Sequence, residues 1–226
     1  MSQALIDFIR GPMFWIAAAV FVCGLSFQAW RFFRLTRNKE LRYTDAPAQS
    51  KKSRVQGFLQ RLAQLWLSCR RSLLGRQPTL AVVTGVFHCL LFVIPLFLWA
   101  HNRRLKDSLG VSLGSLPEPL THFLTGLFLL CCAFFLLRRI LVRQVRALTA
   151  GTDLLTLGIT AAPFLTGYLA YLQWFDYRTI LLLHMVSGEL MLVVVPFTKL
   201  GHMLFFFFYR FFFGDEYSFG QGSRTW

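Results

Sequence analysis

Five long apolar runs, separated by polar or charged segments, dominate the pattern of the chain. A helix of about 20 apolar residues crosses the hydrocarbon core of a bilayer, and none of the runs alternates strictly as a barrel strand would. The pattern therefore predicts an all-α, polytopic membrane protein: one domain over residues 1–226 with five transmembrane helices in a bundle. The predicted spans cover residues 12–35, 79–101, 120–138, 153–174 and 179–208. The fifth run is longer than a bilayer requires, so its helix should tilt or project beyond the lipid.

The composition agrees with this architecture and excludes a soluble enzyme. Of the 226 residues, 55% are hydrophobic and 15% are charged, whereas soluble domains average about 45–50% apolar and about 25% charged residues. The 24 Lys and Arg residues against 10 Asp and Glu residues give a net charge of +14. Such an excess suits a nucleic-acid partner, anionic lipid, or loops held on the cytoplasmic side of a membrane.

The positions of the basic residues decide among these explanations. Residues 36–78 hold ten Lys and Arg residues against two acids, and residues 138–153 are basic as well, whereas residues 101–119 and 175–179 are nearly balanced. The positive-inside rule therefore predicts a multi-pass protein of the bacterial inner membrane with a periplasmic amino terminus and a cytoplasmic carboxyl terminus. The excess of basic residues thus indicates the orientation of the protein in the membrane, and we expect no nucleic-acid partner.

The first cytoplasmic segment contains an amphipathic pattern over about residues 53–75. Val55, Phe58, Leu62 and Leu65 repeat at intervals of three or four residues, with Arg61 among them. Such a basic amphipathic helix lies on membrane lipid or against a partner protein.

All five histidines lie in or at the ends of the predicted spans: His88, His101, His122, His184 and His202. An ionisable side chain at membrane depth is costly and marks a functional site by default. His184 and His202 share one helix face, because a separation of 18 positions makes five helical turns, about 27 Å along the axis. The second span runs in the opposite direction, which places His88 at the level of His202 and His101 at the level of His184. The spacing thus predicts two histidine pairs at two depths.

Facing histidines on different helices suit the two axial ligands of a haem iron. Zinc needs three or four ligands at one depth. A proton relay needs intramembrane carboxylates in series, and only Asp153 and Glu189 qualify. The pattern leaves three interpretations open: two haems, one haem, or histidines that serve packing or proton handling.

Three motifs in the chain resemble the gamma subunit of respiratory nitrate reductase, a five-span di-haem cytochrome b with its amino terminus outside. They are a Gly-Val-Phe-His run that ends at His88, a basic turn from Arg138 through Arg146 to Asp153, and the segment from His184 to His202 with its Pro-Phe-Thr-Lys-Leu-Gly-His end. The resemblance covers nearly the whole membrane part. It implies two b-type haems, with His88 and His202 as iron ligands of the haem nearer the cytoplasm and His184 as a ligand of the haem nearer the periplasm.

The chain departs from the family at the fourth ligand. The family's second histidine on the second span falls on Leu98 here, and leucine cannot bind iron. His101 is three residues further along nearly the same face. Pro95 can distort the helix enough to turn the His101 side chain toward the position of the missing ligand, so His101 is the expected partner of His184. His122, at the same level on the third span, is the alternative partner of His184.

Compact gamma-like subunits of this kind occur in transmembrane redox complexes of sulfate-reducing bacteria, such as the high-molecular-weight cytochrome c complex. The resemblance implies an electron-transfer subunit of anaerobic respiration, within an oxidoreductase complex and without stand-alone catalysis. Its partners in that hetero-oligomer would be a cytoplasmic iron–sulfur subunit and either a periplasmic multihaem cytochrome c or the quinone pool, with menaquinone as the candidate quinone. A quinone or proton site would lie near Glu118 and Lys106 at the outer face.

A haem-poor or haem-free membrane anchor for soluble redox subunits is the alternative function. The histidines would then link helices through hydrogen bonds. A b-type absorption band in the purified subunit separates the two functions.

Overall fold

The computed structural model describes residues 3–36, 73–203 and 205, and every regular element in these ranges is helical. The α-helices are α1 (Gln3–Phe8), α2 (Phe14–Thr36), α3 (Leu73–Arg76), α4 (Pro78–Phe97), α5 (Trp99–Leu109), α6 (Glu118–Leu141), α7 (Arg143–Leu148), α8 (Gly151–Leu172) and α9 (Tyr177–Val194). A π-helical turn, Ile9–Met13, joins α1 to α2, and 3₁₀ turns follow α9 at Val195–Phe197 and Lys199–Gly201. The predicted amphipathic segment, except residues 73–75, and the end of the predicted fifth span lie outside the described residues.

Five helical segments are long and apolar enough to cross a membrane: Gln3–Leu35, Pro78–Phe97, Glu118–Leu141, Gly151–Leu172 and Tyr177–Phe197. Many of their large apolar side chains point outward, among them Val22, Leu130 and Leu155, which are 59%, 68% and 63% exposed. Apolar surface this extensive is rare on soluble proteins, whereas lipid covers it in a membrane. The chain is therefore an all-helical, multi-pass membrane protein, as the hydrophobic pattern predicted.

The first transmembrane segment begins earlier than the predicted residue 12. Residues 3–8 form α1, and the π-helical turn that follows contains Pro12. Proline lacks the N–H that an α-helical turn requires, and a wider turn accommodates its ring. The helix therefore passes through Pro12 instead of starting there.

Helix α4 ends before the predicted end of the second span, and α9 ends within the predicted fifth span, in both cases close to a proline. Helix α4 ends at Phe97 because Leu98 is extended, with φ −69° and ψ 130°, three residues after Pro95. Helix α9 ends at Val194, and Pro196 lies in the 3₁₀ turn that follows. At its other end α9 is capped by Asp176.

The Asp176 cap fixes the start of α9. Its Oδ2 accepts hydrogen bonds from the hydroxyl of Thr179 at 2.6 Å and from the backbone N–H of Thr179 at 2.9 Å. Because both bonds favour the ionised carboxylate, they hold the pKa of Asp176 below its ordinary value.

The chain divides into two compact units, of which the first comprises residues 3–23 and 83–200. In this unit α9 packs along α8, and α8 packs along α6. Leu90 and Ile94 of α4, Phe128 and Cys132 of α6 and Phe164 of α8 form its buried core. The ring of Phe128 is fully buried, with its centre 4.9 Å from that of Phe87 and 4.0 Å from that of Phe164. Stacked aromatic rings therefore connect α4, α6 and α8.

The second unit contains the described residues 24–36, 73–82, 201–203 and 205. The ring centres of Phe32 and Phe205 are 5.9 Å apart, and the guanidinium of Arg34 lies 5.2 Å from the ring centre of Trp30. His202 belongs to this unit and His88 to the first.

Candidate functional site

Helices α5 and α9 bring His101 and His184 together within the first unit. Their imidazole ring centres are 5.9 Å apart, and the ring planes differ by only 13°. Both side chains are half-buried. The structure thus joins two of the five histidines that the sequence pattern selected, and it takes them from different helices.

Backbone carbonyls fix the protonation of both rings. Nδ1 of His184 lies 2.8 Å from the carbonyl oxygen of Pro163, and Nδ1 of His101 lies 3.0 Å from that of Pro95. A carbonyl oxygen only accepts hydrogen bonds, so in the neutral imidazole Nδ1 carries the proton and Nε2 carries the lone pair. Metal-binding histidines commonly donate their second ring N–H in this way, which orients the ring and makes the ligating nitrogen more basic.

The helix break at Leu98 is what directs His101. In a continuous helix, the carbonyls at the end of α4 would accept hydrogen bonds from backbone N–H groups one turn further along. The extended conformation of Leu98 leaves some of them without such a donor. The His101 ring binds the carbonyl of Pro95, and the Asn102 amide donates to the carbonyls of Leu96 at 2.7 Å and Leu98 at 3.4 Å. Two neighbouring side chains of α5 therefore hold the end of α4.

Asn102 also ties this break to the segment that precedes α6. Its side-chain oxygen accepts a hydrogen bond from the backbone N–H of Leu113 at 2.9 Å, and the N–H of Leu116 donates to the carbonyl of Phe97 at 2.9 Å. Asn102 is 3% exposed, so its amide makes these bonds away from solvent. Sequence reasoning missed this residue, although a polar amide directly after a membrane-level histidine was an available signal.

Gly167 of α8 leaves the space that the His184 ring occupies. A Cβ atom at this position would lie 3.0 Å from Cε1 and 3.1 Å from Nδ1 of His184. The neighbouring Thr166 hydroxyl lies 3.3 Å from the Ser187 hydroxyl, which donates to the carbonyl of His184 at 3.0 Å. Helix α8 thus shapes and supports the site of His184. The sequence did not reveal Gly167, because its role depends on which face of α8 meets α9.

The separation of the His101 and His184 ring centres is compatible with two imidazole ligands of one metal atom. A metal–imidazole bond is about 2 Å long and the ring centre lies about 1 Å beyond the nitrogen, so two opposed ligands have ring centres about 6 Å apart. The observed 5.9 Å agrees with this value. Among the described residues, no three His, Cys, Asp or Glu side chains converge as a metal site. A haem suits such a pair, because the porphyrin provides the remaining ligands.

His122, the alternative partner of His184, makes a different contact. Its ring stacks on that of Tyr171 in α8, with ring centres 3.1 Å apart and planes within 14°. Glu118, the first residue of α6, and Lys106 of α5 are exposed. Within the described residues, the hydrogen bonds, ion pairs and ring contacts of these three side chains do not reach the His101–His184 pair.

His88 lies on α4, where its Nδ1 is 2.8 Å from the carbonyl oxygen of Thr84 one turn earlier. Its ring meets that of Phe87 edge to face, with centres 5.2 Å apart. His202 follows the last 3₁₀ turn and its side chain is exposed. The pairing of His88 with His202 stays a prediction.

The two intramembrane acids that the sequence singled out have different surroundings. Asp153 of α8 forms an ion pair with Lys199 at 2.7 Å, and its other oxygen accepts a hydrogen bond from the N–H of Ala150 at 2.9 Å. Glu189 of α9 is 5% exposed, and its Oε2 has no hydrogen-bond partner among the described residues. Only Asp153 is therefore held by a charge of opposite sign in the described part of the chain.

Comparison with known proteins gives a relative but no stated activity. No family model matches the sequence. The chain is 37% identical to a protein of Nitratidesulfovibrio vulgaris in an alignment that covers 96% of each chain. That protein is named only "Protein". Identity at this level over nearly the full length shows that the chain belongs to the same family as the Nitratidesulfovibrio vulgaris protein.

Proposed function

We propose that this family member is the membrane cytochrome b subunit of a respiratory redox complex, and that it carries electrons across the bacterial inner membrane through two b-type haems. The observation that carries the proposal is the His101–His184 pair, in which imidazoles from two different helices lie with nearly parallel ring planes and ring centres 5.9 Å apart, so that both would hold one haem iron. A bound haem supplies a one-electron oxidation and reduction at its iron.

The chain's own residues would hold and orient this group. His101 and His184 would offer their Nε2 lone pairs from opposite sides, while the carbonyls of Pro95 and Pro163 keep each ring in its ligating orientation. Gly167 provides the room that the His184 ring needs. These contacts support His101, not His122, as the partner of His184. His88 and His202 are the proposed ligands of the second haem.

The charge pattern supports the proposed orientation and partners. The cytoplasmic end of α6 and the short α7 carry Arg138, Arg139, Arg143 and Arg146. With the amino terminus in the periplasm, this basic face lies on the cytoplasmic side, where we place the iron–sulfur subunit. Helix α5, with its exposed Arg103 and Lys106, then lies at the periplasmic side.

Either a multihaem cytochrome c or menaquinone fits the periplasmic side. The basic side chains of α5 suit an acidic surface of a cytochrome, whereas Glu118 and Lys106 could exchange the protons of a quinone. A quinone analogue added to the purified protein separates these partners: it shifts the spectrum of the haem nearer the periplasm if quinone binds there, and leaves it unchanged if the partner is a cytochrome.

One observation favours the alternative of a haem-free membrane anchor. The hydrogen bond from His184 to the carbonyl of Pro163 joins α9 to α8, so this histidine also links two helices. A dithionite-reduced minus oxidised spectrum of the purified subunit distinguishes the two functions. A b-type α-band supports the cytochrome, and its absence supports the anchor.

The same spectrum of single variants assigns the ligands. We expect His101→Ala to lose one haem and His122→Ala to keep both, because the His101 ring lies 5.9 Å from that of His184, whereas the His122 ring stacks on Tyr171. Retention of both haems in His101→Ala would refute this assignment.

A further inference from the structure

Glu189 is a buried carboxyl that the proposed electron path does not use. It lies in the middle of α9, five residues after His184, which is about 7.5 Å along the helix axis. The side chain is 5% exposed and Oε2 makes no hydrogen bond within the described ranges. Ionisation of a buried carboxyl is strongly unfavourable in an apolar environment, so Glu189 holds its proton unless a nearby positive charge, such as that of an oxidised iron, offsets the cost.

The elements that pack against α9 bring few charges to this level. In the α8–α9 pair, Pro163 meets His184 and Thr166 meets Ser187, so residues 158–164 of α8 lie closest in height to Glu189. None of these seven residues is ionisable.

The titratable groups of these elements lie at other heights or are already bound. On α8, Asp153 is paired with Lys199, Tyr168 lies against Gly126 of α6, and Tyr171 stacks on His122. The π-helical turn that packs on α9 carries Arg10, whose side chain is exposed. The 3₁₀ turn after α9, Val195–Phe197, has no ionisable residue. Besides Glu189, the charged or titratable groups on α9 itself are Tyr177, Arg178 and His184. The nearest ionisable neighbour along α9 is therefore His184.

We propose that Glu189 is a proton-binding site whose occupancy follows the oxidation state of the iron held by His101 and His184, which makes electron transfer through this subunit proton-coupled. This inference rests on the proposed function. The Glu189 carboxylate takes up one proton from water when one electron arrives at the iron, and the carboxylic acid returns that proton when the electron leaves. The net charge of the site is then the same before and after each electron transfer. This is favourable because a change in net charge costs more free energy in a region of low dielectric constant.

Two measurements on the purified subunit with its haems test the inference. The first is the pH dependence of the reduction potential of the haem held by His101 and His184, which is identified as the haem that His101→Ala loses. In the wild-type protein we expect the potential to fall as the pH rises, with a limit of about 59 mV per pH unit for one proton per electron. In Glu189→Gln, which keeps the size of a neutral carboxylic acid, the potential should be independent of pH. Asp107→Asn, a change of an exposed carboxylate on α5, should behave as the wild type.

The second measurement needs no variant. The redox difference infrared spectrum of the wild-type protein should contain a carboxylic-acid C=O signal that shifts in D₂O and that is missing in Glu189→Gln. Equal pH dependence in the wild type and Glu189→Gln, or a wild-type spectrum without that signal, would overturn the proton site while the haems remain. A purified protein without haem would overturn both the proton site and the proposed function.

Discussion

Replacement of Gly167 by alanine tests the ligand geometry most sharply, because the change adds one methyl group beside one histidine. The new Cβ would lie 3.0 Å from Cε1 and 3.1 Å from Nδ1 of His184. Non-bonded carbon atoms prefer a separation of about 3.5–4.0 Å. The ring would therefore have to move by a few tenths of an ångström, because the Cβ is fixed on the helix backbone.

A displacement of this size is large for a metal ligand. Metal–nitrogen distances in working sites vary by about 0.2 Å, so the displaced Nε2 of His184 would no longer reach the position opposite His101. The shift also weakens the 2.8 Å hydrogen bond to the carbonyl of Pro163, a loss of about 1 kcal/mol. We therefore expect Gly167→Ala to lose the haem of this pair and to keep the other one.

The assay is the haem content and the reduced minus oxidised spectrum of the purified variant. Gly158→Ala is the matched control, since Gly158 lies on the same helix and a Cβ there would meet nothing within 4 Å. Alanine within a helix is about 0.5–1 kcal/mol more stable than glycine, so the control should keep both haems and unfold at a slightly higher temperature. Full haem content in Gly167→Ala would refute the geometry described for His184.

Three further predictions concern the surroundings of this site. Asn102→Leu should release the end of α4, because the carbonyls of Leu96 and Leu98 lose their donor at a cost of about 1 kcal/mol each, and should lower the content of the haem that His101 ligates. In the same spectra, His122→Ala should keep both haems. Asp176→Ala should lower the midpoint of thermal unfolding at neutral pH. Because the pKa of Asp176 is depressed by Thr179, the cap stabilises above the unfolded-state pKa and loses this effect as the pH falls through the lower folded-state pKa. The difference between the two proteins should therefore vanish in acid, and a constant difference would contradict the role of the carboxylate.

The five membrane helices could be predicted from the hydrophobic pattern, because apolar runs of this length have few alternatives to a spanning helix. The ends of the helices were harder to predict. Pro95 was recognised as a source of distortion, but the break appears three residues later, at Leu98. Its position depends on the hydrogen bonds that Asn102 makes across the chain, which no local pattern shows.

The level of the candidate site in the membrane could be predicted from the sequence, but its side-chain contacts could not. Counting turns placed His101 and His184 at one level, and the structure has their rings 5.9 Å apart. The same count of turns could not decide whether His101 or His122 is the partner of His184, because both lie at that level. The distinction depends on which helix faces meet, as does the role of Gly167. The burial of Glu189, whose Oε2 has no hydrogen-bond partner among the described residues, is likewise a property of packing.

The haem-to-protein ratio of the purified wild-type subunit tests the central claim most directly. We predict two b-type haems per polypeptide, measured as extracted haem against protein determined by amino-acid analysis. A ratio of zero in protein purified from a host that supplies haem would contradict the cytochrome function.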